Sequence, residues 1–347
     1  MLRFLTAGES HGKALVGILE GMPSGLKVDE HYIDKELHRR QSGYGRGARM
    51  KIEKDTVEVL GGLKQGITIA SPISLIVHNN DASINALPGL YCPRPGHGDL
   101  AGGLKYGFDD LRCVLERASA RETAIRVAIG AVCKQLLQVF KITVHSSVLS
   151  IGGQTNEGKI RAIIDQAKKD SDTLGGIFKV VSHGAPVGLG SYVHYDRRLD
   201  GRLAMAVMSI PAIKAVGIGL GVHCADKYGS QVHDAIYYSK QKGYYRLTNN
   251  AGGIEAGISN GEDIVVCGYM KPIATLGKPL DSVDIRSKKA HKAAVERSDT
   301  CAVESAGVVA EAVVAFELAR AFLEKFGCDS IKEITSNYKA YQKQHNA

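Results

Sequence analysis

The stretch SARETAIRVAIGAVCKQLLQVFK, residues 119–141, carries the clearest helical pattern in the chain. Its apolar residues recur at the three- and four-residue spacing of one helix face, and no proline interrupts them. They are Ala124, Val127, Ala128, Ala131, Val132, Leu136 and Val139. We therefore predict a helix here and a second long helix over 303–326, which is rich in Ala, Val and Glu.

Strand-like patterns surround these two helices. Alternating or continuous apolar runs predict strands at 3–6, 14–19, 56–60, 67–78, 142–151, 177–182, 215–219 and 265–270. Further helices are predicted at 29–40 with Asp29 as N-cap, at 156–170, from a cap at Asp200 through 208, and over 330–344. The order strand, loop, helix occurs twice along the chain, which favours a mixed architecture of two layers. No long Pro- or Ser-rich linker occurs, so we expect one domain over 1–347.

Two segments are expected to be loops. The Arg- and Gly-rich segment at 39–50 has too few apolar residues for a packed element, and we interpret it as a loop that covers a ligand. A long polar loop is expected at 79–107. Inside it, residues 96–101 (GHGDLA) fit a loose dinucleotide-binding pattern, but they follow no strand and no helix is expected to start there. A Rossmann site is therefore not favoured.

The composition excludes several classes of protein. Of 347 residues, 44% are hydrophobic and 23% charged, which is typical of a folded globular chain and not of a disordered one. No uncharged apolar run reaches about 20 residues and the start does not resemble a secretory signal, so we expect no membrane span and a cytoplasmic location. Seven scattered cysteines without a CxxC pair argue against a disulfide framework or a zinc site, and we expect no metal.

The net positive charge suits an anionic partner, nucleic acid or a small molecule, and the scattered glycines suggest tight turns or backbone held close to a ligand. The 44 Lys and Arg exceed the 36 Asp and Glu by 8, and 40 glycines exceed the average share of about 7%. Guanidinium groups bind carboxylates and phosphates with paired hydrogen bonds. We expect a ligand with two or three anionic groups, although any one arginine alone could be a solvated surface charge. The arginines in Gly-rich or small-residue loops are Arg40, Arg46, Arg49, Arg94, Arg117, Arg121 and Arg297.

Two histidines and one aspartate are candidates for proton transfer. His11 in GESHG and His97 in PGHG lie between small residues that let a ligand approach the ring. Histidine titrates near neutral pH and commonly acts as a general acid. Asp299 precedes the second long helix, where it could equally be an anion that complements the helix N-terminus. Ser10 is not interpreted as a hydrolase nucleophile, because no G-x-S-x-G elbow surrounds it.

Seven stretches together closely resemble the chorismate synthase family. They occur in the family's order and span nearly the whole chain, and those at 8–23, 116–130 and 297–313 resemble its signature sequences. The stretches are GESHGKALVGILEGMP (8–23), RRQSGYGRGARM (39–50), PRPGH (93–97), ERASARETAIRVAIG (116–130), NNAGGIEAGISNG (249–261), KPIAT (271–275) and RSDTCAVESAGVVAEAV (297–313).

The resemblance implies a lyase reaction, the 1,4-elimination of phosphate from 5-enolpyruvylshikimate 3-phosphate to give chorismate. It also implies a requirement for reduced FMN without net redox change, and it leaves open whether NADPH serves as the reductant. The substrate carries a phosphate and two carboxylates, which is the kind of multiply anionic ligand that the arginines predict. In this family the hard chemistry belongs to the cofactor.

The resemblance also implies roles for individual residues. His11 would protonate the departing phosphate, His97 would keep the reduced flavin in its productive protonation state, and Asp299 would assist removal of the substrate proton through the flavin. The implied substrate-binding residues are Ser10, Arg40, Arg46, Arg49, Arg94, Arg117, Ser119 and Arg121. The implied cofactor-binding residues are Arg117, Ala118, Ser119, Asn250, Gly252, Gly253, Ala256, Lys271, Pro272, Ile273, Ala274, Thr275 and Arg297.

For the whole molecule the resemblance implies an α+β fold, a β-α-β sandwich with helices packed between antiparallel or mixed sheets, assembled as a homotetramer. Three residues depart from the family pattern: Ala256 replaces a usual Gly, Ser298 a commoner His, and Thr300 a usual Pro. None of them removes a group with an implied role.

Two other functions would also suit loops rich in Arg and Gly. A nucleic-acid-binding protein could use Arg- and Gly-rich loops on phosphates, but Trp is absent, aromatics are only 6%, and no run of five basic residues occurs. An ATP-dependent small-molecule kinase would also suit Gly-rich loops, but no Walker motif is present.

Overall fold

The computed structural model of the chain describes residues 1–47, 54–241, 243–296 and 298–345. The first half contains strands β1 Arg3–Ala7, β2 Ala14–Glu20, β3 Glu58–Gly61, β4 Leu63–Lys64, β5 Ile67–Thr68, β6 Ile73–His78 and β7 Thr143–Ile151. The second half contains β8 Gly176–His183, β9 Ile213–Ile218, β10 Ile236–Ser239, β11 Gly243–Arg246, β12 Ile254–Glu255, β13 Ile258–Ser259, β14 Ile264–Met270, β15 Asp281–Val283 and β16 Ala290–Lys292. The helices are α1 Glu30–Gln41, α2 Asp99–Tyr106, α3 Arg112–Ala118, α4 Thr123–Val139, α5 Glu157–Lys169, α6 Leu199–Met208, α7 Gly229–Val232, α8 Val303–Phe326 and α9 Ile331–His345.

Two four-stranded antiparallel sheets form the outer layers. The first sheet has the order β1-β2-β6-β3, and the second has the order β7-β8-β14-β9. Burial alternates along the strands, as it does in β6, where Ile73, Leu75 and Val77 are buried. Each sheet therefore turns one apolar face toward the centre of the molecule.

The long helices α4 and α8 lie side by side between the two sheets. Helix α4 packs on the first sheet, where Ile125 approaches Gly17 of β2, and α8 packs on the second, where Gly307 approaches Ser146 of β7. The layers are thus sheet, helices, sheet. This confirms the α+β sandwich that the resemblance implies and corrects the two-layer architecture drawn from the order of elements alone.

The C-terminal helix α9 docks on the end of the helical layer. Ile334 is fully buried, and the Tyr338 ring meets the rings of Phe322 and Phe326 at centroid distances of 5.3 and 5.1 Å. Edge-on aromatic packing of this kind adds to the burial of apolar surface. The predicted amphipathic segment at 330–344 is therefore a packed helix.

Most predicted elements are confirmed, with four corrections. The segment at 39–50 is a loop only in its described part from Ser42, because Arg40 and Gln41 are buried in the last turn of α1, and residues 48–50 lie outside the described residues. The 67–78 run is divided into β5 and β6. Helix α2 starts inside the expected loop at 79–107, directly after Gly98. Asp200 lies in the first turn of α6 and pairs with Arg198, which is the N-cap residue.

The seven cysteines are all free, and none forms a disulfide. Among the helices of the described ranges, none is both long enough and apolar enough to cross a membrane.

Candidate active site

A cavity of about 520 Å³ opens at one end of the helical layer, a volume within the usual range of about 300–1,000 Å³ for small-ligand sites. Loops from both sheets and the first turn of α8 form its walls. Its lining residues are Ser10, His11, Arg40, Arg46, Gly47, Arg94, Gly96, His97, Gly98, Leu115, Ala118, Ser119, Ala120, Arg121, Thr123, Ile210, Pro211, Ala212, Met270, Lys271, Ile273, Ala274, Thr275, Glu296, Ser298, Asp299, Ala302, Ser305, Ala306 and Val309.

Two buried arginines share one carboxylate in the wall of the cavity. Arg40 donates from Nη2 to Asp55 Oδ2 at 2.6 Å, and Arg121 donates from Nη1 to Asp55 Oδ1 at 2.6 Å. Burial, which Asp55 only partly offsets, lowers the pKa of Arg40, and the charge of Arg121 adds to this effect. Arg40 Nε has no hydrogen-bond partner in the described part of the chain. Two guanidiniums against one carboxylate leave an excess positive charge that an anionic ligand would neutralise.

His11 is held by a buried carboxylate. Its Nδ1 lies 3.0 Å from both oxygens of Glu116, and its backbone N–H donates to Glu116 Oε2 at 2.8 Å. The turn between β1 and β2 brings His11 to the cavity, and Ser10 N–H donates to the Glu116 carbonyl oxygen at 2.9 Å. Burial alone would raise the pKa of Glu116, but the hydrogen bonds from His11 outweigh it and hold that pKa below its ordinary value.

His97 belongs to a second carboxylate cluster across the cavity. Asp99 accepts from Arg94 Nε at 2.8 Å and from Arg94 Nη2 at 3.0 Å, and its Oδ1 lies 2.6 Å from His97 Nδ1. Burial would raise the pKa of Asp99, but His97 and Arg94 outweigh it and lower that pKa strongly. Arg94 also donates to Thr275 Oγ1 at 2.7 Å, which joins this cluster to the loop after β14. The arrangement leaves His97 Nε2 as the ring nitrogen outside this carboxylate contact.

Asp299 closes the cavity by pairing with the loop after α1. Its Oδ1 accepts from Gly47 N–H at 2.6 Å, and its Oδ2 lies 3.0 Å from Arg46 Nη1. The carboxylate therefore contacts the 42–47 loop. Ser298 donates from Oγ to the Thr275 carbonyl oxygen at 2.8 Å and ties this segment to the loop after β14.

The structure brings most of the predicted site residues to this cavity. Arg117 lies apart from it and donates to Gly8 O at 3.1 Å and to Thr6 Oγ1 at 3.2 Å. Arg49 and Arg297 lie outside the described residues. The predicted residues that line the cavity are Ser10, His11, Arg40, Arg46, Arg94, His97, Ala118, Ser119, Arg121, Lys271, Ile273, Ala274, Thr275 and Asp299. Those that do not are Arg117, Pro272, Asn250, Gly252, Gly253 and Ala256.

The four residues from 250 to 256 lie at the far end of β14 from the cavity. Gly252 approaches Val265 and Gly253 approaches Asp263, at the start of the strand, whereas Met270 at its end lines the cavity. Seven strand residues span about 20 Å. None of these four residues lines the cavity of its own copy of the chain.

Three carboxylates were missed by sequence reasoning, namely Asp55, Asp99 and Glu116. Asp99 and Glu116 lie close in sequence to residues that were predicted, so proximity to His97 and to Arg117 was an available signal. Asp55 had no such signal, because it is brought to Arg40 and Arg121 only by the fold.

Taken together, the cavity can bind a multiply anionic ligand and transfer protons to it. Four arginines and Lys271 supply positive charge, and burial lowers the pKa of Lys271, with Lys214 adding to the effect. Two imidazoles, each held at Nδ1, supply proton-transfer groups. Leu115, Ile210, Met270, Ile273 and Val309 supply an apolar wall against which a flat ring could pack.

Comparisons with known proteins agree with this geometry. The family model described as chorismate synthase matches residues 2–323. Chorismate synthase of Thermoanaerobacter pseudethanolicus is 57% identical over 343 residues, with 98% of each chain covered, and that of Caldanaerobacter subterraneus subsp. tengcongensis is 53% identical with the same coverage. A solved structure titled as a crystal structure of chorismate synthase superimposes with a TM-score of 0.83 at 42% identity, over 99% of this chain and 98% of that one. The chain belongs to the chorismate synthase family of lyases.

Proposed function

We propose that this chain eliminates phosphate from 5-enolpyruvylshikimate 3-phosphate to give chorismate, with reduced FMN bound beside the substrate. The observation that carries the proposal is the meeting of four guanidiniums and two carboxylate-held histidines in one cavity. A substrate with one phosphate and two carboxylates matches this excess of positive charge.

The residues present also fit the proposed cofactor. The apolar side chains of Ile210, Met270 and Ile273 suit a flavin ring, and Lys271 with the loop through Thr275 supplies polar groups at its edge. Bound there, the reduced flavin would supply an electron-rich ring that lends charge transiently to the substrate. The chain's own contribution is to bind, orient and move protons.

The proposed roles are those that the resemblance implies, and the positions of the side chains support them. Arg40 and Arg121, fixed by Asp55, would orient the anionic groups of the substrate. His11 would donate a proton to the departing phosphate, and His97 would hold a proton toward the ring of the cofactor. Asp299 would assist removal of the substrate proton beside the cofactor, which requires its contact with Arg46 to loosen when the ligands bind.

We further propose a homotetramer in which Asn250, Gly252, Gly253 and Ala256 complete the cofactor site of a neighbouring copy. Their absence from the lining of their own cavity supports this arrangement, because the resemblance assigns them to the cofactor. Light scattering of the purified protein tests it: a tetrameric mass is expected, and a monomer with full activity would overturn it. As a biosynthetic enzyme, the protein is proposed to act in the cytoplasm.

The function is tested by mixing the protein anaerobically with FMN, dithionite and the substrate while following chorismate absorbance and phosphate release. Equal amounts of both products are expected, with none when the flavin stays oxidised. Repeating the assay with NADPH in place of dithionite shows whether the chain reduces its own flavin. Folded protein that binds FMN but gives no product would contradict the proposal.

Substitution of the two histidines tests their proposed roles in proton transfer. His11→Ala and His97→Ala should each lower turnover by about 10²-fold or more, because each removes a proton-transfer group. His145→Ala, on an exposed part of β7 away from the cavity, is the control and should leave turnover unchanged. Losses under about fivefold in both cavity variants would exclude the proton-transfer roles.

A further inference from the structure

The buried carboxylate of Glu116 is hydrogen-bonded to His11. In the described residues, the hydrogen bonds that this carboxylate accepts come from His11 alone, from the ring Nδ1 and from the backbone N–H. The side chain of Glu116 is 1% exposed, and the nearest guanidinium nitrogen, Arg112 Nη1, lies 3.9 Å away, beyond hydrogen-bond distance. Its negative charge is therefore available to His11.

The carboxylate beside the other histidine is arranged differently. Asp99 accepts two hydrogen bonds from the Arg94 side chain and one from the Arg94 backbone, at 2.8 to 3.1 Å, as well as contacting His97. The charge of Asp99 is thus largely balanced by a guanidinium. Among the described residues, His11 is therefore the cavity histidine whose carboxylate partner accepts no hydrogen bond from a guanidinium.

We infer that Glu116 is a positioning residue that holds His11 through Nδ1–H as an imidazolium with Nε2–H toward the cavity. This inference deepens the proposed function and rests on it. A second carboxylate, Asp81, stands 4.0 Å from His11 Nε2 and accepts a hydrogen bond from Ser83 Oγ. The positive charge of Arg112, whose Nη1 lies 3.9 Å from Glu116 Oε1, competes with His11 for the negative charge of Glu116.

The orientation of the His11 ring determines which of its protons passes to the phosphate. As the carbon–oxygen bond to phosphate breaks, the bonding electron pair leaves with the phosphate oxygen, and the proton on His11 Nε2 passes to the departing phosphate. The ring that remains is neutral and carries its proton on Nδ1, where it is already bonded to Glu116. No rotation or tautomer change of His11 is needed, which is the benefit of fixing the ring beforehand.

Replacement of the carboxylate by an amide tests the inference. In Glu116→Gln the single amide oxygen can accept the His11 backbone N–H, which leaves the amide NH₂ facing Nδ1 and favours a neutral ring without a proton there. We expect kcat at pH 7.5 to fall by about 10- to 100-fold and to recover partly as the pH is lowered, with KM within about threefold. Glu116→Asp, which keeps the charge, should retain more activity than Glu116→Gln and the pH profile of the unmodified enzyme.

A matched control separates this role from loss of structure. Glu122→Gln removes the same charge from a buried carboxylate six residues away, which pairs with Arg126 instead of a cavity residue, and it should leave kcat and its pH profile unchanged. In a His11→Ala background, Glu116→Gln should lower kcat no further, because Glu116 acts through His11.

Three results would overturn the inference. The first is a Glu116→Gln enzyme whose kcat equals that of Glu122→Gln. The second is a fall in kcat of Glu116→Gln that is the same at every pH. The third is that adding Glu116→Gln to His11→Ala lowers kcat by a further factor of similar size. If Glu116→Gln does not fold, Glu116→Asp decides, since a pH profile displaced from that of the unmodified enzyme would equally overturn it. Failure of the proposed function itself is distinct, because the unmodified protein would then give no chorismate.

Discussion

Ala256 holds a backbone conformation that is unusual for a residue with a side chain. It forms, with Gly257, the two-residue turn between β12 and β13, and their φ angles are 48° and 81°. Two positive φ angles define the hairpin turn that normally carries Asn-Gly or Gly-Gly. Ala256 therefore keeps a glycine-like backbone and bears the steric cost of doing so.

Replacing this alanine should stabilise the protein. For Ala256→Gly we expect a gain of about 0.5–1 kcal/mol in the free energy of unfolding, because relief of a cost of about 1–2 kcal/mol exceeds the added flexibility of the unfolded chain. Urea unfolding measures it. The control is Ala162→Gly on the exposed face of α5, which should destabilise by up to about 1 kcal/mol. Equal destabilisation by both changes would show that the turn carries no strain.

At the same scale, the sequence predicted the cations of the cavity better than their partners. Arg40, Arg94 and the two histidines stand out because small residues surround them, and that pattern is local. The partner of Arg40 and Arg121 is Asp55, 15 and 66 residues away, so only the fold brings it to them. A carboxylate in a sequence carries no mark that distinguishes a buried partner from a solvated charge.

Among the elements, helices α8 and α2 show why one prediction was correct and another was missed. Helix α8 was predicted with the bounds observed, because its sequence is rich in Ala, Val and Glu and contains no proline. Helix α2 was missed because two glycines lower its helix propensity. Those glycines allow close packing on the neighbouring segment, since a Cβ at Gly102 would lie 2.5 Å from Val114 Cγ1 and one at Gly103 would lie 2.3 Å from Leu111 Cδ2.

The same logic predicts the effect of a methyl group at the crossing of α4 and α8. A Cβ at Gly130 would lie 2.3 Å from Ala312 Cβ and 2.6 Å from its carbonyl oxygen, so two backbones would have to separate. We expect Gly130→Ala to destabilise by about 2 kcal/mol or more, despite the better helix propensity of alanine. Thermal unfolding, followed by circular dichroism, measures the loss.

Gly158→Ala is the matched control for this prediction. Gly158 is exposed in the first turn of α5, where a Cβ meets only Asn156 Oδ1 at 3.4 Å. The added methyl group should stabilise by a few tenths to about 1 kcal/mol. A Gly130→Ala protein as stable as the unmodified one would mean that α4 and α8 do not cross in contact at this point.

For the whole molecule, the order of elements along the chain did not reveal the number of layers. Nothing in that order says that the two sheets lie on opposite sides of α4 and α8. The available signal was the composition of α8, which is apolar around most of its circumference and therefore needs cover on more than one side. One hydrophobic core includes Leu15 and Val77 of the first sheet and Phe178 and Val266 of the second.

One buried charge network ties the layers together. Glu311 of α8 is fully buried and accepts hydrogen bonds from Arg39 of α1, Lys134 of α4 and Ser146 of β7. Burial alone would raise the pKa of Glu311, but the hydrogen bonds from Arg39 and the charge of Lys134 lower it to about 2. The network therefore links three helices and the second sheet through one ionised carboxylate.

This carboxylate makes the stability of the protein sensitive to acid. Because the pKa of Glu311 is lower in the folded protein than its ordinary value of 4.5, its contribution is complete above about pH 4.5 and is lost as the pH falls toward 2. A pKa lowered from 4.5 to about 2 corresponds to a contribution of about 3 kcal/mol. Urea unfolding measured between pH 7 and pH 3 should show this loss.

Glu311→Gln provides the decisive comparison. At pH 7 it should destabilise by about 3–5 kcal/mol, because Glu36 is then the one carboxylate that Arg39 and Lys134 contact among the described residues. Its stability should change less between pH 4.5 and 3 than that of the unmodified protein. Glu157→Gln, which removes an exposed partner of Arg161, should change stability by under about 1 kcal/mol and leave the acid dependence intact. Since Glu311 is the group that all four elements share, an unaltered acid dependence in Glu311→Gln would mean that other carboxylates govern unfolding in acid.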